Sequence, residues 1–237
     1  MRNTLIELIK NYSGSRSQLA RRAGVSASTV SRIVSGTLDP TLTVASSLLA
    51  AMGLQFPTHL MPLCDVAALH AGRRQLEGDP VESPWEQTLQ RWASGGEELL
   101  AMEAGRAAPT RLRPEVVVVR TNWNVLRVLG AVAASGQEWA VSGWPAAMEP
   151  TAGMKGLPFP LYVAGGYGSL GLALPDQGQG DVEIHVLPFD SVSESGRYQE
   201  DGIWWAAPEQ VLLDLFGQPG GENLARDYGA LLRKDCR

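Results

Sequence analysis

The stretch from Arg16 to Ser35, RSQLARRAGVSASTVSRIVS, constrains this chain more than any other. Leu19, Ala20 and Ala23 recur at helical spacing, which predicts a helix with one apolar side. Gly24 follows, the residue type that readily takes the left-handed conformation in which helices end, and Ser26 offers a hydroxyl to cap a second helix. In that second helix Val30, Ile33 and Val34 face inward. Ala20 is small where two helices cross closely, Gly24 makes the turn, and Val25 plugs the angle between them. Ala27, Ser28, Thr29, Ser31 and Arg32 are left pointing away from the core.

The flanks extend the pattern. Leu5, Ile6, Leu8 and Ile9 give a short first helix, and Thr43–Met52 reads as a further one, with Leu42, Leu48, Leu49 and Met52 apolar and Gly53 as terminator. QLARRAGVSASTVSRIVSG followed by PTLTVASSLLAAMGL resembles the lambda-repressor-like (Cro/C1-type) helix-turn-helix family over about residues 3–56. The resemblance implies an all-α domain over residues 1–57 that binds double-stranded DNA, with the helix Ala27–Ser35 in the major groove. Ser28, Thr29 and Arg32 would then meet base edges, Arg32 presenting a bidentate fork to guanine O6 and N7. Ser26, Ala27 and Ser31 belong to the same surface. Arg16, Gln18, Arg21 and Arg22 would hold the phosphate backbone, setting register without reading sequence. One reader of this size covers few base pairs, so a homodimer on half-sites about one helical turn apart is implied.

Charge is divided along the chain in keeping with this. Residues 1–57 carry six basic side chains against two acidic ones, a balance of +4, while the remaining residues carry 14 basic and 23 acidic, a balance of −9. The overall −5 therefore hides a basic head on an acidic body, and attraction to phosphate is a property of a face. Apolar content of 44% with 19% charged residues is globular, and 237 residues exceed the usual single-domain size, so two folded units are expected.

Cys64 and Cys236 stand far apart in no metal-ligand spacing, so neither a disulfide framework nor a zinc site is indicated. No cofactor or metal is expected. The start MRNTLIELIK lacks the apolar run of a signal peptide, and Val116–Val119 is far shorter than the roughly 20 residues of a membrane span, so a cytoplasmic protein with no membrane contact is expected.

Residues 58–114 read as a helical connector. It holds a helix over Leu63–His70, a linker at Pro80–Pro84 and two short helices between Trp85 and Arg106. Trp85 and Trp92 are expected to pack rather than to stack on bases, because no basic groove sequence surrounds them. RAAPTRLRP, from Arg106 to Pro114, reads as an exposed basic linker.

Residues 115–237 read as a mixed α/β domain, making the whole an α+β multidomain chain. Strands are predicted at Val116–Val119, Trp139–Ser142, Leu161–Ala164, Ser169–Leu174 and Val182–Leu187. Helices are predicted at Trp123–Ala134, capped by Thr121 or Asn122, and at Pro208–Phe216. Three features here, WAVSGWPAAM, the LYVAG strand and WWAAPEQVLLDLF, resemble the AbiEi-like type IV antitoxin family of DNA-binding regulators. That resemblance implies a cognate toxin as partner, although familiar members often carry a winged helix-turn-helix in front.

An enzymatic alternative rests on Gly168-Ser169 followed by Asp181 and Glu183, which imitates a nucleotidyltransferase signature. Two carboxylates two apart on a strand share a face and can hold Mg²⁺. The intervening LGLALPDQGQG reads as strand and turn where that signature needs a helix, and only Asp190 offers itself as a third carboxylate. His59, His70 and His185 lack ligand spacing, GGYGSLG lacks the lysine and hydroxyl of a phosphate loop, and Ser142 lies in no GxSxG elbow. A transcriptional repressor is therefore the leading expectation. A ligand-sensing repressor with a Gly-rich sensor domain and a DNA-associated nucleotidyltransferase are the alternatives.

Overall fold

A computed structural model describes residues 2–55, 63–79, 82–93, 96–148, 154, 156–171 and 180–235. The chain divides into two compact units, Met1–Pro62 and Leu63–Arg237. Among the described residues, no helix is long and apolar enough to cross a membrane.

The first unit is four helices: α1 Arg2–Lys10, α2 Arg16–Ala23, α3 Ala27–Val34 and α4 Leu42–Ala51. Each of the last three starts on a hydroxyl cap. Ser15 accepts from the Gln18 amide, Ser26 from that of Thr29, and Thr41 from that of Val44. Such caps satisfy amides that have no partner inside the helix, each contributing about 1 kcal/mol. Gly24 ends α2 at φ 68°, and its amide returns to the carbonyls of Ala20 and Arg21. Leu5, Ile9, Leu19, Ala20, Val30, Ile33, Leu48 and Leu49 close the core. Leu42, expected on the apolar side, is 65% exposed: α4 begins at that residue, and its first buried position is Ala45.

In the second unit come α5 Val66–Leu76, α6 Pro84–Trp92 and α7 Glu97–Ala107, then a 3-10 turn at Thr110–Leu112. The helix expected at Leu63–His70 starts later, where Asp65 caps it through the Ala67 amide, and runs on to Leu76. Gly96 at φ 137° separates α6 from α7; the Pro80 end of the expected linker lies outside the described residues. These helices pack into the core of the second unit, with Leu69, Leu89, Ala101 and Ala104 in one cluster with the strands. Trp85 and Trp92 meet edge to face, their ring centroids 5.6 Å apart.

The remainder alternates β1 Val117–Thr121, α8 Val125–Ala134, β2 Trp139–Val141, α9 Trp144–Ala147, β3 Phe159–Val163, β4 Val182–Pro188, β5 Tyr198–Glu200, β6 Ile203–Trp205, α10 Pro208–Phe216 and α11 Glu222–Asp235. The sheet is mixed, in the order β1-β4-β3-β2-β6-β5, with β3 parallel to β4 and β2 parallel to β6. β3 is paired on both sides and buried throughout, which is why FPLYV is a continuous apolar run. α8 starts at Val125 because Asn124, not Thr121 or Asn122, caps it; Thr121 Oγ1 accepts from Trp123 instead. The strand expected at Ser169–Leu174 is, over its described part, a 3-10 turn at Tyr167–Leu170 that Ser169 Oγ pins by donating to the carbonyls of Ala164 and Gly166; residues 172–174 lie outside the described residues.

The basic stretch Arg106–Pro114 is not an exposed linker. Thr110 is fully buried and Arg113 only 6% exposed, because Asp214 on α10 supplies a counter-charge inside the fold.

Candidate nucleic-acid interface

The turn between α2 and α3 holds every residue of the sequence-predicted surface on two consecutive helices. Arg16, Gln18, Arg21 and Arg22 lie on α2, Ser26 on the cap, and Ala27, Ser28, Thr29, Ser31 and Arg32 on α3. All are exposed except Thr29, which is half-buried. Ser28 and Arg32 are four apart, so on α3 they share a face turned away from Val30 and Ile33, which are fully buried, and the half-buried Thr29, three before Arg32 and four before Ile33, stands at the edge of that face.

The hydroxyls form one cluster. Ser26 Oγ lies 2.8 Å from Ser28 Oγ and 2.8 Å from Thr29 Oγ1 while accepting from the Thr29 amide at 3.0 Å. Ser26 thus both caps α3 and orients the hydroxyls of its first turn. A helix N-terminus also carries the positive end of the backbone dipole, which favours anions there. Among the described residues Arg16, Arg21 and Arg32 make no ion pair, whereas Arg22 Nη1 donates to Tyr12 Oη at 3.1 Å. Ser35 and Thr37 both donate to the Arg32 carbonyl, closing the C-terminal end of α3. The result is a rigid ridge bearing free guanidinium groups and preset hydroxyls.

Residues 5–57 match the helix-turn-helix family. No curated protein and no solved structure matches the chain. The N-terminal unit is accordingly a helix-turn-helix domain of the lambda-repressor/Cro-like kind, which makes the chain a DNA-binding transcriptional regulator. Its partner is double-stranded DNA.

The acidic residues of the second unit are differently engaged. Glu183 lies on β4, held by Arg120 at 2.7 Å and by His185 Nε2 at 3.0 Å. Burial pushes its pKa up, but the hydrogen bonds from Arg120 and His185 outweigh that and leave the carboxyl below its ordinary range. Asp181 sits in a bend before β4 and is exposed, so the two carboxylates do not form the expected strand pair. Asp190 lies beyond β4, bound by His70 at 2.9 Å. Among the described residues no three His, Cys, Asp or Glu side chains are grouped to hold a metal ion. His59 and Cys236 lie outside the described residues, and Cys64 is a free thiol.

Thr110 Oγ1, His185 Nδ1 and Nε2, and Glu183 Oε1 align as a hydroxyl-imidazole-carboxylate relay at 2.7 and 3.0 Å. The Thr110 hydroxyl is sealed inside the fold, so no substrate reaches it, and the relay braces β4 against the Thr110–Leu112 turn. Ser142 is equally buried and donates to Asp214 at 2.6 Å. Sequence reasoning missed this last network: Arg113, Tyr162, Gln210 and Asp214 converge with Ser142 in the core. A lone Asp in the apolar run QVLLDLF was its signal.

Proposed function

We propose that this protein represses transcription by occupying an operator as a homodimer, with α3 of each copy in the major groove. The observation that carries the reading is the α3 face, where Ser28 and Arg32 stand exposed with the half-buried Thr29 at their edge. Arg32 reads a guanine through its two-pronged donor set, and Ser28 and Thr29 serve neighbouring base edges. Ser31 and Ala27 fill the same groove wall. Arg16, Gln18, Arg21 and Arg22, on α2, grip phosphates on either side and supply affinity that falls with salt. Two copies are needed because one small reader buries too little surface for tight, selective binding.

The second unit then serves regulation. Its Trp139–Met148 and Trp204–Phe216 segments resemble the AbiEi-like antitoxins, and on that resemblance we assign it the capture of a cognate toxin protein. Both DNA and toxin place the work in the cytoplasm. Footprinting of the purified protein on the DNA upstream of its own gene tests the first part: a short symmetric protected site is the expected result. Protection only at concentrations that also cover unrelated DNA would remove the operator. Co-expression with the neighbouring gene tests the second, through rescue of growth.

A further inference from the structure

We propose that the cleft between α5 and the loop after β4 binds a small amphipathic amine, one ammonium group on an apolar body. The cleft encloses about 420 Å³, within the range of small-molecule sites, which are mostly apolar with a few placed polar groups. Val66, Leu69, Leu187 and Phe189 form its walls. Phe189 is held in place by stacking on Tyr162, with ring centroids 5.9 Å apart and planes 17° from parallel.

The floor is polar but occupied. Tyr162 Oη accepts from Arg113 Nη1 at 2.7 Å and from Gln210 Nε2 at 3.0 Å and donates to Asp214 at 3.0 Å, which exhausts a phenol. The Arg113 charge is cancelled by Asp214 at 2.7 Å. Arg197, whose guanidinium lies 5.1 Å from the Phe189 ring centre, is matched by Glu138 at 2.8 Å. Both guanidinium charges are thus matched by carboxylates within the fold.

The outer edge is negative. Asp190 and Glu115 both line the cleft. Asp190 is fixed in place: Oδ2 meets His70 Nε2 at 2.9 Å, and Oδ1 accepts from the amides of Val192 at 3.0 Å and Ser193 at 2.7 Å. Burial works against its charge, but these bonds outweigh burial and keep the carboxyl ionised far below its ordinary range. Glu115 has no hydrogen bond or ion pair among the described residues, and its backbone holds a positive φ of 61°. A positive φ in a non-glycine side chain costs stability and persists where the surrounding structure imposes it. Beyond the Arg113–Asp214 and His70–Asp190 pairs, Glu115 leaves one unpaired negative charge on the lining. An ammonium supplies the three donors that such carboxylates accept, and the apolar walls shelter the rest of the ligand. An anion of the same shape meets like charge.

The full-length protein is titrated calorimetrically with 2-phenylethylamine, 2-phenylethanol and 3-phenylpropanoate. The amine is expected to bind saturably at one site per chain, with the alcohol and the acid at least about ten-fold weaker, a difference of roughly 1.4 kcal/mol. Glu115→Gln, an exposed change, should weaken the amine about ten-fold, and Val66→Trp, which fills the cleft from a half-buried position, should abolish binding while circular dichroism stays native. Equal affinity for all three probes, tighter binding of the acid, or no saturation by the amine at about 10 mM overturns the assignment. So does undiminished amine binding in both variants. None of these readings involves DNA, so they stand or fall apart from the repressor assignment.

Discussion

Asp214 Oδ1 lies 2.7 Å from Arg113 Nη2, and the two side chains are 0% and 5% exposed. The pair ties α10 to the segment that follows α7. Burial opposes the Arg113 charge, but Tyr162 and Asp214 outweigh it and hold the guanidinium protonated. Removing one member leaves the other charge stranded in the core, which costs about 3–5 kcal/mol. Asp214→Ala should therefore lower the stability of the second unit by that amount in urea unfolding. Replacing both, as Arg113→Met with Asp214→Leu, should restore part of the loss: no unpaired charge remains, but Ser142, Tyr162 and Gln210 lose the acceptor that Asp214 gave them.

A second expectation concerns pH. Burial depresses the His185 pKa below 6.5, so the native state keeps the imidazole neutral while the unfolded chain binds a proton. The stability this gives is complete above pH 6.5 and declines as the pH falls toward the folded value. Glu183 and Asp190, lowered from 4.5 and 3.8, keep their contributions above those values and lose them as acidification proceeds further. Urea midpoints measured from pH 8 down to pH 3 should fall in two stages, and His185→Gln should erase the first. A flat profile through pH 6 would show that His185 carries no proton linkage.

Two glycines separate conformational from steric cost. Gly24 has a positive φ of 68°, yet an added Cβ would meet nothing within 4 Å. Gly24→Ala should cost about 1–2 kcal/mol, the price of a left-handed alanine. Gly105 has no such φ, but a Cβ there would run into the Leu213 carbonyl and the Phe216 side chain, where α7 crosses α10. Gly105→Ala should destabilise the second unit by about 3 kcal/mol, the upper end of overpacking. Calorimetric melting of each variant, with the two transitions followed separately, makes the comparison.

On DNA, the α2 arginines and α3 should part company. If Arg21 contacts one phosphate, Arg21→Ala reduces the slope of log affinity against log salt by about 1 and leaves the ranking of operator variants unchanged. Anisotropy titrations over a range of salt concentrations read both quantities.

The helix-turn-helix was legible because its demands are local: a small Ala20 at the crossing, a left-handed Gly24, a capping Ser26 and a buried face at 3.6-residue spacing. The second unit was less so. Its β5–β6 hairpin went unpredicted although Asp201-Gly202, with φ of 51° and 79°, is the dipeptide that favours a two-residue turn; the strands beside it are only three residues long. α11 was not predicted although Leu224, Ala225, Tyr228 and Leu232 repeat at helical spacing, because Gly229 and the charged residues between them break up the apolar pattern. Arg113 read as solvent-facing since a basic, proline-bounded segment looks like a linker until Asp214, 101 positions away, is known to face it. Local pattern announces elements, while long-range charge pairing appears only in the fold.

The measurement closest to the central claim is a binding-site selection from random duplex DNA, run with the wild-type protein and with Arg32→Ala. The account predicts that the variant still selects related sites but accepts any base at one position per half-site, with an affinity loss of about 1–3 kcal/mol on the wild-type sequence. Identical selected sequences from both proteins would mean that α3 does not read bases through Arg32.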